Sequence, residues 1–256
     1  MRLHLIYLPL VVLSLSSTVV ADDLWIASGE EYRGRLRISE GGTNPRVIYT
    51  RATIPNPAFP NAVTRVAQIA EGPKGEVFFC SGLDSSVMQL LDGKHEIQLF
   101  EHNGQVRDLA CSNEPHTIYF SVVNTPQNSE PLLDGKIFRR DLWQGEATEI
   151  ASIKQSDVGG NWWGTFTIRE GAVYLTTLDK PSKIFKLSGG KLQPVFTSNP
   201  HSITGLSVAG GGEFLFADGS GHVRMTTDFN IVTDVLSTDL KLTDVNSRAL
   251  ETSDAP

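Results

Sequence analysis

The sequence predicts an all-β fold: a β-propeller of five four-stranded blades, closed by pairing of the N- and C-terminal strands in one blade. Three observations predict it. First, one strand line is written five times, as LWIASG (24–29), VFFCSG (77–82), IYFSVV (118–123), VYLTTL (173–178) and FLFADG (214–219). Second, each is followed by a partner line: GRLRIS at Gly34, SVMQLL at Ser86, GKIFRR at Gly135, SKIFKL at Ser182 and GHVRMT at Gly221. A small repeated β unit cannot bury its apolar face alone, so it must stack on its neighbours. Third, the two ends complement each other. The N-terminal segment has LWIASG, GRLRIS and RVIYT (46–50) but no strand before them, and the C-terminal LTDVNSRAL (242–250) supplies one. Such closure removes the exposed sheet edges that invite aggregation.

The chain starts with a basic Arg2, an apolar run over 5–15 and small residues up to Ala21. This pattern reads as a secretory signal cleaved after Ala21. The apolar run is short for a membrane span, which needs about 20 residues. The expected mature protein, 22–256, is one propeller domain, secreted or periplasmic. It carries 21 basic against 29 acidic residues, a net charge of −8. That balance, without a basic patch or aromatic-basic interleaving, argues against nucleic acid as a partner. A monomer is expected, with no membrane span after cleavage.

Each unit reads as four strands. The first strands are VTRVAQIA (63–70), VRDLACSN (106–113), WGTFTIRE (163–170) and ITGLSVAG (203–210), and the fourth are EIQLF (96–100), TEIAS (148–152), LQPVF (192–196) and IVTDVL (231–236). All are short, rich in β-branched or aromatic residues, and bounded by turn formers. Aligning the first strands through Val66, Leu109, Phe166 and Leu206 gives spacings of 43, 57 and 40 residues, and Val245 follows 39 residues after Leu206. The long spacing holds an extra loop over 123–134. Cys80 and Cys111 are open to two readings. Export permits a disulfide, whereas antiparallel register sets the two residues toward opposite ends of the sheet, beyond bridging distance.

The stretch ITGLSVAGGGEFLFADGSGHVRM (203–225) resembles the strand–turn–strand run of NHL and gluconolactonase-like propellers. The resemblance extends to the repeat throughout, although familiar members carry six or seven blades. It implies that ligands bind at one mouth of the channel, among the loops entering each first strand and those joining second to third strands. It also implies, as an alternative function, a metal-dependent hydrolase. The family's lactonases carry an Asn before the Gly that matches Gly205. Here that place is Thr204, matched by Thr64, Arg107 and Thr243 in other units, so the family's metal set is incomplete.

Candidate site residues follow from this frame. Gly159-Gly160-Asn161-Trp162-Trp163-Gly164 sets two indoles beside glycines, and Trp162 with Asn161 is the candidate platform for a sugar ring or organic cation. One column of the first strands reads Arg65, Asp108, Thr165, Gly205 and Asp244; the next reads Thr64, Arg107, Gly164, Thr204 and Thr243. Side chains alternate along a strand, so one column faces the channel. Arg65 and Arg107 are then candidate anion anchors, and Asp108 and Asp244 candidate cation ligands, or the four form compensating ion pairs. His201 is the lone acid–base candidate, and the hydrolase reading adds Glu30 or Asp218. No G-x-S-x-G, H-E-x-x-H or P-loop motif occurs. With no assembled catalytic constellation, the first expectation is a binder of a small molecule, glycan or protein at the channel mouth, needing no cofactor. The alternative is the hydrolase, with a divalent metal such as Ca²⁺. A third reading makes the 123–134 insert a docking platform.

Overall fold

A computed structural model describes residues 24–30, 33–41, 43–50, 68–81, 85–112, 114–123, 134–143, 145–198, 201–240 and 242–247. Among these residues, twenty strands form five four-stranded antiparallel sheets. The first blade is β4 (Gln68–Glu71), β5 (Val77–Cys80), β6 (Ser86–Leu91) and β7 (His95–Glu101). The second is β8 (Val106–Cys111), β9 (Thr117–Val123), β10 (Gly135–Asp141) and β11 (Ala147–Ile153). The third is β12 (Phe166–Arg169), β13 (Ala172–Thr176), β14 (Ser182–Ser188) and β15 (Lys191–Ser198), and the fourth is β16 (Ile203–Val208), β17 (Phe214–Asp218), β18 (His222–Thr226) and β19 (Thr233–Ser237). The closing blade runs β20 (Leu242–Ser247), β1 (Leu24–Glu30), β2 (Arg33–Ser39), β3 (Arg46–Thr50). The expected sharing of one blade by the two ends is therefore present, with Ile26 opposite Val245.

The innermost strands touch in the ring order β4, β8, β12, β16, β20 and back to β4. Each of the five junctions between neighbouring blades has its own apolar cluster. The junction of the first and second blades, for example, packs Phe78, Val87 and Phe100 against Leu109, Ile118 and Phe120. The apolar face that no repeat can bury alone is buried pairwise around the ring. The third-to-fourth strand pairing of every blade carries a register shift at the same place, after Leu36, Val87, Ile137, Ile184 and Val223. A bulge there bends the outermost strand and spoils it as a template for edge pairing.

Cross-strand pairing corrects one sequence expectation. Ile69, not Val66, stands opposite Phe79 as Leu109 stands opposite Phe120. The spacing to Leu109 becomes 40 residues, and the ring position assigned to Arg65 belongs to Gln68. Arg65, the side chain of Glu30, the 124–133 part of the insert and the expected signal segment lie outside the described residues. A single helical turn, α1 (Gln155–Val158), was not expected from the strand pattern. Cys80 and Cys111 are not bridged to each other: Cys80 lies opposite Gln68 and Cys111 opposite Ile118, at opposite ends of their blades. No helix among the described residues is long and apolar enough to cross a membrane.

Candidate functional site at the channel mouth

The first strands run inward from one mouth, and their opening residues build the site. With the register corrected, the ring column is Gln68, Asp108, Thr165, Gly205 and Asp244. Asp108 is 1% exposed and Asp244 2%. Each carboxylate reaches the next blade. The Phe166 N–H donates to Asp108 Oδ2 at 2.8 Å, and the Ile69 N–H donates to Asp244 Oδ2 at 2.8 Å. Asp108 Oδ1 also accepts from the Leu109 N–H at 2.8 Å. These bonds make both residues clamps between blades. The sequence could not foresee this, because the donors sit on strands 58 and 175 residues away.

The two acids also meet electrostatically. Burial, then the Asp244 charge, pushes Asp108 well above the usual carboxylate range, against the opposing pull of the Phe166 and Leu109 N–H groups and the Gln68 amide. Burial raises Asp244 as well. Asp244 Oδ1 is buried with no hydrogen-bond partner. Gln68 Nε2 reaches the Thr204 carbonyl at 3.5 Å. Four of the five blades thus bring oxygen-bearing groups to one level of the channel. No three His, Cys, Asp or Glu side chains gather as a metal site among the described residues.

Arg107 lies one residue nearer the mouth. Its Nε donates to the Val123 carbonyl at 3.0 Å and its Nη2 to Gln105 Oε1 at 2.7 Å, and its guanidinium lies 5.7 Å from the Trp163 ring centre. Gly164, at φ +106°, lets β12 pass against the Arg107 side chain. The structure corrects the assignment within the Trp pair. Trp162 is fully buried and donates from Nε1 to the Thr165 carbonyl at 3.0 Å, so it offers no platform. Trp163, at the entrance to β12, is 37% exposed. Adjacent residues face opposite ways, and which faces out is set by neighbouring blades.

The remaining candidates do not converge on this point. Asn161 is engaged through its backbone N–H and Nδ2 by Asp179, both at 2.8 Å. A depression of about 320 Å³ lies beside them, lined in part by Thr177, Lys180 and Lys183. His201 is half-buried in the loop before β16. Asp218 is fully buried and makes a turn, accepting from the Ser220 N–H and Oγ and the His222 N–H, and pairs with Arg224 at 2.6 Å. Burial alone would raise its pKa, but these donors and Arg224 outweigh it and hold it below the usual range. The larger depression, about 600 Å³, lies at the other mouth, among the turns joining first to second strands. Glu71, Glu114 and Glu170 line it, with Cys111, whose thiol is pushed far up by burial and by Glu76 and Glu71.

No protein-family model and no curated protein matches the chain. Among solved structures it is similar to a gluconolactonase from Xanthomonas campestris, with 13% identity over 82% of this chain and 71% of that one, at a TM-score of 0.53. It is also similar to a candidate gluconolactonase, with 14% identity over 88% of this chain and 82% of that one, at a TM-score of 0.51. A match to virginiamycin B lyase from Staphylococcus aureus has 16% identity, covers 82% and 68% of the two chains, and has a TM-score of 0.45. At such identities the likeness to the two gluconolactonase structures is one of fold: a propeller, here of five blades.

Proposed function

We propose that the protein is a hydrolase of the gluconolactonase-like kind, opening a small cyclic ester at the channel mouth. One observation carries the reading. The carboxyl groups of Asp108 and Asp244, from different blades, are buried on the innermost strands, and at the start of two of those strands an exposed indole lies 5.7 Å from a guanidinium. The fold likeness to a gluconolactonase supports it. In lactone hydrolysis, water adds to the carbonyl carbon, the ring C–O bond breaks and the ring oxygen leaves as a hydroxyl. A neutral ring becomes a hydroxy acid anion. Trp163 offers a flat face for the ring. Arg107, held in place by Val123 and Gln105, sets a cation beside that face where the new carboxylate forms.

The reading includes a divalent cation, and the donor chemistry fits one. Two carboxylates and an amide are hard oxygen donors, and Asp244 Oδ1 has no partner. Asp108 and Asp244, with Gln68 beside them, would hold it. Bound there, a divalent cation supplies Lewis-acid polarisation of a carbonyl. The reading also places the protein outside the cytoplasm, on the strength of the residues before Asp22.

The test is hydrolysis of a panel of aldonolactones by the mature chain, followed by acid release above the spontaneous rate. The protein is first treated with EDTA, then given Ca²⁺, Mn²⁺ or Zn²⁺. Turnover restored by an ion and lost in Asp244→Asn supports the reading. No turnover with any ion rules it out.

A second reading is a binder without catalysis at the same mouth. Its observation is that both carboxylates are nearly inaccessible and already engaged by backbone amides. Ligand binding that is lost in Trp163→Ala, without turnover, would decide for it.

A further inference from the structure

We infer that the mouth has a second pocket, for an anionic substituent, in the depression beside Lys180 and Lys183, and that the ligand laid on Trp163 is a sugar acid bearing a phosphate or carboxylate at its far end. The inference deepens the preceding reading and rests on it only for the ring being a lactone; the pocket itself stands on geometry.

The depression, about 320 Å³, is built wholly from third-blade loops that open at this mouth: residues 158–160, ahead of β12, and residues 177–183, between β13 and β14. That volume lies at the small end of the range for ligand pockets. Lys180 and Lys183 both line it and are exposed, on either side of Pro181. Neither amine is neutralised. Of the described lysines, Lys136 alone forms an ion pair, with Glu149. The one carboxylate in the lining, Asp179, is committed on both oxygens: Oδ2 accepts from the Asn161 N–H and Oδ1 from Asn161 Nδ2. Thr177, 1% exposed, lines the depression too. Its hydroxyl oxygen accepts from the Lys183 N–H at 3.1 Å, and its hydrogen donates to nothing among the described residues. Two ammonium groups and a spare hydroxyl donor thus meet at one recess of an acidic chain. Such donors suit the oxygens of phosphate or carboxylate.

The recess is within reach of the indole. Trp162 is buried between Asn161 and Trp163, which are both exposed, so the rim of the depression and the flat face open to the same solvent. Gly160, in the lining, and Trp163 are three residues apart, at most about 11 Å of extended chain. Arg107 flanks Trp163 from the second blade, whereas the lysines belong to the third. A sugar acid lying across the indole with its reacting end toward Arg107 can therefore set a far-end anion between the lysines.

The test is titration of the mature chain with gluconate, gluconate 6-phosphate and glucarate, at low and high salt, with and without Ca²⁺. These open-chain acids need no turnover to be read. Gluconate 6-phosphate or glucarate should bind about tenfold or more tightly than gluconate at low salt, and the advantage should shrink at high salt. Which of the two is favoured assigns the group as phosphate or carboxylate. In the double variant Lys180→Ala, Lys183→Ala the advantage should fall to about twofold or less. Lys191→Ala, which removes an exposed amine at the far end of the same blade, should keep it. No binding of any of the three acids, no advantage over gluconate, or an advantage that survives in the double variant overturns the pocket. Hydrolysis of the corresponding lactones separates the two proposals. Lysine-dependent binding without turnover keeps the pocket and sinks the hydrolase. Turnover of the neutral lactone with no preference for an anionic one does the reverse.

Discussion

Asp244 and Gly205 occupy one space: a Cβ built on Gly205 would stand 2.5 Å from the Asp244 Cα and closer still to its Oδ1. The ring column carries side chains at Gln68, Asp108, Thr165 and Asp244, and the one glycine is where Asp244 needs room. Gly205→Ala should therefore cost about 1–3 kcal/mol, the usual range for overpacking a tight interior. Gly210→Ala is the matched control, because nothing lies within 4 Å of its added methyl. Urea unfolding of the two variants should separate them. Equal midpoints would show that β16 and β20 can move apart at little cost.

The Asp108 clamp makes a second prediction. Asp108→Ala removes the acceptor for the Phe166 and Leu109 N–H groups. Each buried donor left unmade costs about 1–3 kcal/mol. Asp108→Asn keeps one acceptor oxygen, leaves one of the two donors unmet and removes a charge that burial opposes, so it should cost less than Ala. Denaturant midpoints in EDTA should rank native first, Asn between and Ala lowest. Ala and Asn falling together would mean that the bond from Phe166 contributes little to joining the second and third blades.

The two adjacent tryptophans should split stability from recognition. Trp162→Ala opens a void in the cluster between the second and third blades, where Gly135 already lies against the indole. It should cost about 3–5 kcal/mol, as large-to-small changes of buried aromatics do. Trp163→Ala touches a side chain 37% exposed and should move stability by no more than about 0.5 kcal/mol. Its effect should appear in ligand affinity or in KM. Unfolding and ligand titration on both variants check this; a stable Trp162→Ala that loses ligand would reverse the roles assigned to the pair.

How much of this was legible depends on what each feature needs. Ile26, Phe79, Phe120, Leu175 and Phe216 recur at the same place in the five strand lines and are all 1% exposed or less. Their period-two pattern and bounding turn residues are local properties, so the strands and the closure of the ends could be read directly. The first strand of the first blade could not be registered this way. Val63, Val66 and Ile69 are apolar at intervals of three, and only the pairing of Ile69 with Phe79 chooses among them. That ambiguity put Arg65 where Gln68 belongs and hid a member of the channel cluster. Asp108 and Asp244 were visible as charges entering the channel, but their N–H donors lie on other blades. The bulges after Leu36 and its four equivalents leave no sequence mark, since an extra residue in a strand looks like any other residue.

His102 provides the pH prediction. Its ring lies against Phe120 and Phe138, with centres 5.0 and 4.5 Å apart, and burial followed by the charge of Arg140 lowers its pKa. The unfolded chain, titrating near the ordinary value of about 6.5, then takes up its proton before the folded chain does. Stability should be full above that value, fall as pH drops through it, and level off once the folded pKa is passed. His102→Phe keeps an aromatic ring between the two phenylalanines and removes the proton. Its Tm should therefore change less between pH 7.5 and 5 than that of the native chain, whatever its Tm at pH 7.5. Thermal unfolding at half-unit steps would measure both slopes. Equal slopes would mean that the imidazolium is tolerated between the rings, and that acid sensitivity in this window arises elsewhere.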